Sequence, residues 1–201
     1  MSAVPLKTKL GCPFGCVYCT YPVGEGRTYR LCAPGLVQRA VRELARQGVR
    51  DIEFVDNVFN SPYEHAMEVC RLLAGSGTGV RLHTMELNPE FTDAPLLDAM
   101  EQAGFAGIGI TAESADDGVL AALGKNYNSS HLYRAAAAVD GHGIPCVWIF
   151  MAGGPGETKD TLLRTLDFAR RRVRPSDTVF FNAGVRLYPG TQLEALARRE
   201  G

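Results

Sequence analysis

Short apolar runs alternate along the chain with longer segments in which apolar residues recur every three or four positions. The short runs are rich in β-branched and aromatic residues, so they predict buried strands, whereas the longer segments predict amphipathic helices. Strands are predicted over residues 6–11, 51–56, 80–86, 107–113, 146–151 and 178–187. Helices are predicted over residues 34–47, 61–74, 94–103, 116–123, 130–141, 158–172 and 191–199, the second of them opening on a capping box at Ser61 and Glu64.

Six successive strand–helix units predict an α/β fold with a parallel sheet and right-handed crossovers. The pattern alone fits both a doubly wound sheet and a partial (βα)6 barrel of the TIM type. Both place ligand sites at the carboxyl ends of the strands. A complete barrel needs about 250 residues, and this chain has 201. We therefore expect one domain over residues 1–201 that is a partial barrel or a piece of a longer protein.

Composition and charge exclude some partners and suggest a compartment. The chain is 46% hydrophobic and has a formal net charge of −1, which gives no electrostatic footprint for nucleic acid or an anionic membrane. No apolar run reaches the roughly 20 residues that span a bilayer, and no signal peptide is evident at the start. Six cysteines in such a chain favour free thiols or metal ligands over disulfides, so we expect a cytoplasmic protein.

The candidate chemistry lies in a loop that follows the first predicted strand. Cys12, Cys16 and Cys19 place three thiols within eight residues, and glycines in the loop permit a tight backbone. Three thiolates do not complete a structural zinc site, which takes four ligands, unless Cys32 or a distant residue joins them. In a [4Fe–4S] cluster, which normally has four thiolates, three would leave one iron open. The spacing favours the cluster but leaves zinc as an alternative.

The C-x3-C-x2-C spacing, with an aromatic residue before the last cysteine, resembles the signature of the radical S-adenosylmethionine superfamily. The resemblance implies the partial barrel. It also implies that Cys12, Cys16 and Cys19 bind three irons, while the amine and carboxylate of S-adenosylmethionine chelate the fourth. By the same resemblance Tyr18 packs near the adenine.

Asp56 and Asn57 close the second predicted strand. Many members of the family carry Gly-Gly-Glu here, where it receives the methionyl amine. This chain instead resembles the class B methyltransferase-like branch, which is often joined to a cobalamin-binding domain. The resemblance implies that an acidic or amide group contacts the cofactor here. The alternative is a turn that caps the following helix.

Glu113 and Ser114 end the fourth strand and resemble a Gly-x-Glu-Ser segment that the family follows with Leu-x-x-Leu-Gly-Lys, here residues 120–125. The resemblance implies that Glu113 bonds a ribose hydroxyl or steadies a cation. The alternative is a capping partner for the next helix.

The last two strand ends complete the predicted cofactor contacts. The resemblance implies that backbone around Ile149, Gly153 and Gly154 cradles the adenine and methionyl parts of the cofactor. This Gly-rich turn does not have the spacing of a phosphate-binding loop. Arg186 lies in a segment that resembles Arg-x-Tyr-Pro-Gly-Thr of the cobalamin-associated branch, where it either pairs with the cofactor carboxylate or forms a surface ion pair.

The resemblance implies a chemistry as well as a site. In the family, the reduced cluster passes one electron to S-adenosylmethionine, giving methionine and a 5′-deoxyadenosyl radical, although some members transfer methyl groups without that radical. The branch implies methyl or other group transfer to an unactivated carbon, with an external electron donor such as flavodoxin or ferredoxin. The chain has no D-x-H-x-x-G cobalamin motif, so cobalamin is either bound by another region or not used. The substrate and the catalytic residue are not identified.

Two hypotheses lie outside this interpretation. The first is a zinc-stabilised interaction domain without catalysis. The second is an iron–sulfur electron carrier, which needs a fourth thiolate from Cys32, Cys70 or Cys146. We expect those three cysteines to be structural.

Overall fold

The computed structural model describes residues 3–200, which form a six-stranded parallel sheet and a separate two-stranded antiparallel sheet. The strands are β1 Val4–Leu6, β2 Lys9–Leu10, β3 Arg30–Leu31, β4 Asp51–Phe54, β5 Arg81–Leu87, β6 Phe105–Glu113, β7 Cys146–Ala152 and β8 Thr178–Ala183. The α-helices are α1 Tyr21–Glu25, α2 Pro34–Arg46, α3 Tyr63–Ala74, α4 Ala94–Ala103, α5 Asp117–Ala122, α6 Ser129–Asp140, α7 Lys159–Arg172 and α8 Gln192–Glu200; a 3-10 turn covers Pro89–Phe91.

The strand order identifies the architecture. The main sheet runs β1-β4-β5-β6-β7-β8, so its order in space never reverses. Because parallel crossovers are right-handed, helices that connect strands in an unreversed order all lie on one face of the sheet. That arrangement is a (βα) barrel, and it excludes the doubly wound alternative, which needs a reversal. β1 and β8 remain at opposite edges, so the partial barrel is confirmed.

The main core lies between the sheet and its helical layer. Every second residue of β4 and β7 faces this layer, including Phe54, Trp148 and Phe150, each with essentially no exposed surface. The ring of Phe54 lies 5.2 Å from Phe59 and 5.9 Å from Phe105. Burying each such side chain stabilises the fold by about 1.5–3 kcal/mol. The opposite, concave face is left for ligands.

The structure corrects the first predicted strand. Residues 6–11 are not continuous, because β1 ends at Leu6 and the chain then leaves the parallel sheet. The backbone N–H groups of Thr8 and Lys9 donate to the Asp56 carboxylate instead of to a neighbouring strand. Lys9–Leu10 then pairs with Arg30–Leu31 in an antiparallel two-stranded sheet that the sequence pattern did not predict.

Two further expectations are wrong. The helix that follows Ser61 begins at Tyr63 with Pro62 at its N-cap, and no side-chain capping bond is present, so the capping box does not form. The last strand ends at Ala183 and not at residue 187, because Gly184 has a φ of +85° and turns the chain away from the sheet. Among the described residues, no helix is long and apolar enough to cross a membrane.

Candidate functional site

The cysteine loop, residues 11–20, leaves β2 and returns through α1 to β3. Gly11 has a φ of +87°, and a Cβ atom there would lie 2.2 Å from the carbonyl oxygen of Thr28. The Cys12 N–H donates to the carbonyl of Gly26 at 3.1 Å. The start of the loop is therefore packed directly on the returning chain, and only glycine fits at position 11.

The other side of the loop is held by the end of α5. The Val17 N–H donates to the carbonyl of Leu123 at 3.0 Å, and Val17 packs with Leu123, Met151 and Leu193 in a second apolar cluster. Gly124 has a φ of +69°, and a Cβ atom there would lie 2.4 Å from the carbonyl oxygen of Gly15. The backbone around the cysteines is thus fixed from two directions by elements distant in sequence.

All three thiols line one cavity of about 190 Å³ at the carboxyl ends of the strands. Cys12 is buried, and Cys16 and Cys19 are partly exposed. Within residues 3–200, no three Cys, His, Asp or Glu side chains are already gathered as a metal site, so the thiols share a cavity without being drawn to a point. The cavity is also lined by Phe14, Tyr18, Tyr21, Asn57, Val58, Glu86, Asn88, Thr111, Lys125, Asn126 and Tyr127.

Burial raises the pKa of the thiols of Cys12 and Cys19, and mutual repulsion between the cysteine charges raises it further. These thiols are therefore protonated near neutral pH when no metal is bound. A metal ion that ligates them must displace the protons, and its positive charge offsets the same repulsion. The donor set suits a strongly cationic, thiophilic group.

A buried charge network faces the thiols. The Tyr18 hydroxyl donates to Glu113 Oε1 at 2.5 Å, and Lys125 Nζ donates to the Tyr18 oxygen at 2.7 Å and to Glu113 Oε1 at 2.9 Å. Glu113 has a φ of +57°, and the pairing of β6 with β7 shifts by one residue beside it. Such a bulge re-aims a side chain at the end of a strand and stores backbone strain.

Lys125 carries the charge of this network. Burial acts to lower its pKa, but the carboxylate of Glu113, 2.9 Å away, outweighs burial and holds the pKa well above its usual value. Burial raises the pKa of both phenols, so they stay neutral. One ammonium group is therefore fixed beside the cysteine cavity at every physiological pH.

Asn57 and Asp56 are neighbours with different surroundings. Asn57 lines the cavity, its Nδ2 donates to Glu25 Oε2 at 2.8 Å, and its buried Oδ1 has no hydrogen-bond partner among the described residues. Asp56 is almost completely buried and does not line the cavity. Its two oxygens accept bonds from the backbone and side chains of Thr8 and Lys9.

The remaining predicted residues are spread around the site. Ser114 is fully buried, and its Oγ lies 3.1 Å from the Thr165 hydroxyl, on the helical side of the sheet. Ile149 is half-buried on the concave face, while Gly153 and Gly154 form the turn after β7. Arg186 is exposed, and its Nη1 donates to the Tyr188 hydroxyl at 3.4 Å. None of these lines the cysteine cavity.

The lysine and the glutamate that line the cavity, Lys125 and Glu86, have no role predicted from the sequence. Lys125 is the last residue of the Leu-x-x-Leu-Gly-Lys segment, and Glu86 is the last residue of the third predicted strand. Burial and the nearby charge of Glu113 raise the pKa of Glu86 to about 7. Both residues lie near the end of a predicted strand or helix, which indicates that they are close to the site. The sequence does not show which of the side chains at such ends point into the cavity.

Comparison with known proteins places the chain in a family. The model described as the Radical SAM superfamily matches residues 7–169. An uncharacterized methyltransferase from Pyrococcus horikoshii is 26% identical over 190 residues, which is 92% of this chain and 40% of the relative. A tRNA-2-methylthio-N(6)-dimethylallyladenosine synthase from Pelobacter propionicus is 29% identical over 205 residues, covering 93% of this chain and 44% of the relative.

Among solved structures, the fold is similar to TsrM from Kitasatospora setae, a radical S-adenosylmethionine methyltransferase determined with cobalamin and a [4Fe–4S] cluster bound. The TM-score is 0.90 at 23% identity, over 98% of this chain and 37% of that one. The chain spans less than half the length of each of these proteins.

Proposed function

Because this chain belongs to the radical S-adenosylmethionine superfamily, we propose that Cys12, Cys16 and Cys19 hold a [4Fe–4S] cluster with one open iron. The observation that carries the proposal is that all three thiols line a single cavity at the carboxyl ends of the strands. An iron–sulfur cluster takes deprotonated thiolates, and three of them leave the fourth iron free for a ligand.

The polar groups of the same cavity fit the methionyl end of S-adenosylmethionine. The buried Oδ1 of Asn57 lacks a hydrogen-bond partner among residues 3–200 and accepts the amine. We assign this role to Asn57 and not to Asp56, since both Asp56 oxygens are already bonded. Lys125, held by Glu113, supplies a positive charge for the carboxylate.

The other predicted contacts extend from this centre. Tyr18 and Glu113 position the Lys125 ammonium, and the backbone around Ile149, Gly153 and Gly154 remains our prediction for the adenosine part. Ser114 and Arg186 stay predictions as well. Ser114 acts through the Thr165 contact that fixes the end of β6, and Arg186 requires a movement of its exposed side chain toward the cavity.

When bound, the cluster supplies the electron that reductively cleaves S-adenosylmethionine. The protein binds the cofactor, orients it and keeps water from the open iron. Since a curated relative is named as a methyltransferase and TsrM was solved with cobalamin, we propose methyl or group transfer to an unactivated carbon, with cobalamin held by a separate domain. An external donor such as flavodoxin or ferredoxin and a cytoplasmic location complete the proposal.

The decisive experiment uses the anaerobically reconstituted protein. We expect a reduced [4Fe–4S] signal in the electron paramagnetic resonance spectrum after dithionite treatment, and we expect S-adenosylmethionine to change it by occupying the open iron. A cluster signal that does not respond to the cofactor would support an electron carrier. Zinc at about one per chain without iron uptake would support an interaction domain.

Cysteine variants test the ligand set directly. Cys12→Ala, Cys16→Ala and Cys19→Ala should each lose most of the bound iron and the brown absorbance. The matched controls are Cys32→Ala, Cys70→Ala and Cys146→Ala. The thiols of Cys70 and Cys146 are buried in the main core, the thiol of Cys32 is exposed, and none of the three lines the cavity. Loss of the cluster in one control, with retention in a loop variant, would contradict the assignment.

A further inference from the structure

A buried ion pair joins β2, the strand that leads into the cysteine loop, to the chain just after β4. The side chains of Lys9 and Asp56 are 1% and 0% exposed, and Lys9 Nζ lies 3.3 Å from Asp56 Oδ2. Lys9 Nζ also donates to the carbonyl of Phe59 at 2.9 Å and lies 5.6 Å from the centre of the Phe59 ring. Neither Lys9 nor Asp56 lines the cysteine cavity.

Stability alone is a weak reason for this pair. Removing two charges from water costs about as much as their attraction returns, and apolar side chains of similar volume often stabilise a core equally well. Asp56 anchors the backbone of Thr8 and Lys9 through the bonds at 2.8 and 3.2 Å. The Lys9 ammonium neutralises this buried carboxylate, and its place in the chain indicates a second effect.

The position of Lys9 relative to Cys12 indicates what that effect is. Lys9 is three residues before Cys12, so their Cα atoms are separated by at most about 11 Å. The intervening residues are Leu10 and Gly11, and Gly11 is packed against the carbonyl of Thr28, which fixes the spacing. Burial lowers the pKa of Lys9, whereas Asp56, and to a smaller extent a negative charge on Cys12, raise it.

We propose that the Lys9–Asp56 pair sets the reduction potential of the cluster held by the cysteine loop, with Lys9 favouring the reduced state and Asp56 opposing it. This inference rests on the proposed function. Reduction adds one electron from the titrant to the cluster and breaks no bond. The reduced cluster has one more negative charge, so a nearby cation stabilises it and a nearby anion destabilises it, most strongly where water is excluded.

The test is a dithionite titration, followed by electron paramagnetic resonance, of anaerobically reconstituted wild-type, Lys9→Met, Asp56→Asn and Thr8→Val proteins at equal iron content. At a fixed potential, Lys9→Met should decrease the ratio of reduced to oxidised cluster by about tenfold, which is 59 mV for a one-electron couple. Asp56→Asn should increase the ratio by a similar factor.

Thr8→Val is the neutral control. It removes the 2.6 Å bond from the Thr8 hydroxyl to Asp56 and loosens the same anchor without changing a charge. The proposal expects no shift in this variant, whereas a purely structural anchor predicts that all three variants lose cluster together and shift, if at all, in one direction.

Shifts of equal sign in Lys9→Met and Asp56→Asn, or no shift in either, would overturn the inference. If Lys9→Met does not fold, the nearly isosteric Asp56→Asn is compared with Thr8→Val. The proposal then expects a shift in the ratio of reduced to oxidised cluster for Asp56→Asn alone, because only this variant changes the charge. A wild-type protein that takes up no cluster would instead contradict the proposed function, so the two failures are distinguishable.

Discussion

Glu86 is a carboxyl group at the end of β5 that shares the cavity with the three thiols. Burial is the main reason that its pKa rises to about 7, and repulsion from Glu113 adds to the effect. Its ordinary pKa is 4.5. The folded protein therefore holds a proton on Glu86 between these two pH values that the unfolded chain has released. Stability falls as the pH rises through this window, and the loss is complete above pH 7.

Replacing Glu86 with glutamine removes this penalty. We expect Glu86→Gln to stabilise the metal-free protein above pH 7 by up to about 3 kcal/mol, with the gain vanishing as the pH approaches 4.5. Denaturant unfolding at a series of pH values checks this. Glu64→Gln, which changes an exposed carboxyl on α3, should show no such pH-dependent gain. A gain independent of pH would show that Glu86 is not the titrating group.

The sequence predicted single residues best where their chemistry is rare. Three closely spaced cysteines have few uses, and they do share a cavity. Asp56 and Asn57 could not be separated in sequence, because adjacent residues at a strand end point in different directions and only the path of the chain decides which one meets the cavity. Glu86 was missed because a glutamate at the end of a strand is usually solvated, and its burial depends on β6 and the cysteine loop.

At the level of elements, the end of α5 supports the cysteine loop through Gly124. We expect Gly124→Ala to be strongly destabilising, since a Cβ atom would lie 2.4 Å from the Gly15 carbonyl oxygen in addition to the cost of a positive φ. It should also reduce the iron bound after reconstitution, because the displaced backbone lies between Cys12 and Cys16. Urea unfolding and an iron assay measure the two effects.

Gly48→Ala separates the cost of a positive φ from the cost of the clash with the Gly15 carbonyl oxygen. Gly48 has a φ of +89°, but a Cβ atom there meets nothing within 4 Å, so this variant carries only the conformational cost of about 1 kcal/mol. Equal stability losses in both variants, with unchanged iron content, would show that the α5 contact does not position the loop.

Elements with strong periodicity were predicted within two residues of their ends, as for α4 and α7, whose caps Asp93 and Thr158 each accept a backbone N–H. The two-stranded sheet of β2 and β3 was not predicted. Its strands are two residues long, so no alternation of apolar and polar residues can mark them, and it exists because Asp56 and Gly11 bend the chain.

At the scale of the whole molecule, β8 pairs only with β7 and leaves a strand edge and part of the concave face open. Phe180 is 55% exposed and faces the same side as its neighbour in register, Ile149. An open edge beside exposed apolar side chains is a template for pairing with another chain. The alternation of strands and helices predicted a parallel sheet, but it did not decide between a doubly wound and a barrel order of strands. The degree of closure was not predictable either, because it depends on tilt and register across the sheet.

We expect the 201-residue chain to self-associate through this edge as its concentration rises, and Phe180→Lys to weaken the association. If the association buries the Phe180 side chain, its replacement removes about 1.5–3 kcal/mol of association free energy. The dissociation constant measured by sedimentation should then increase more than tenfold. Leu163→Lys is the matched control, since Leu163 is similarly exposed, at 50%, but belongs to α7 and not to the edge strand. An equal effect of both variants would indicate general surface hydrophobicity, and a wild-type monomer at all concentrations would show that β8 is protected by its own twist.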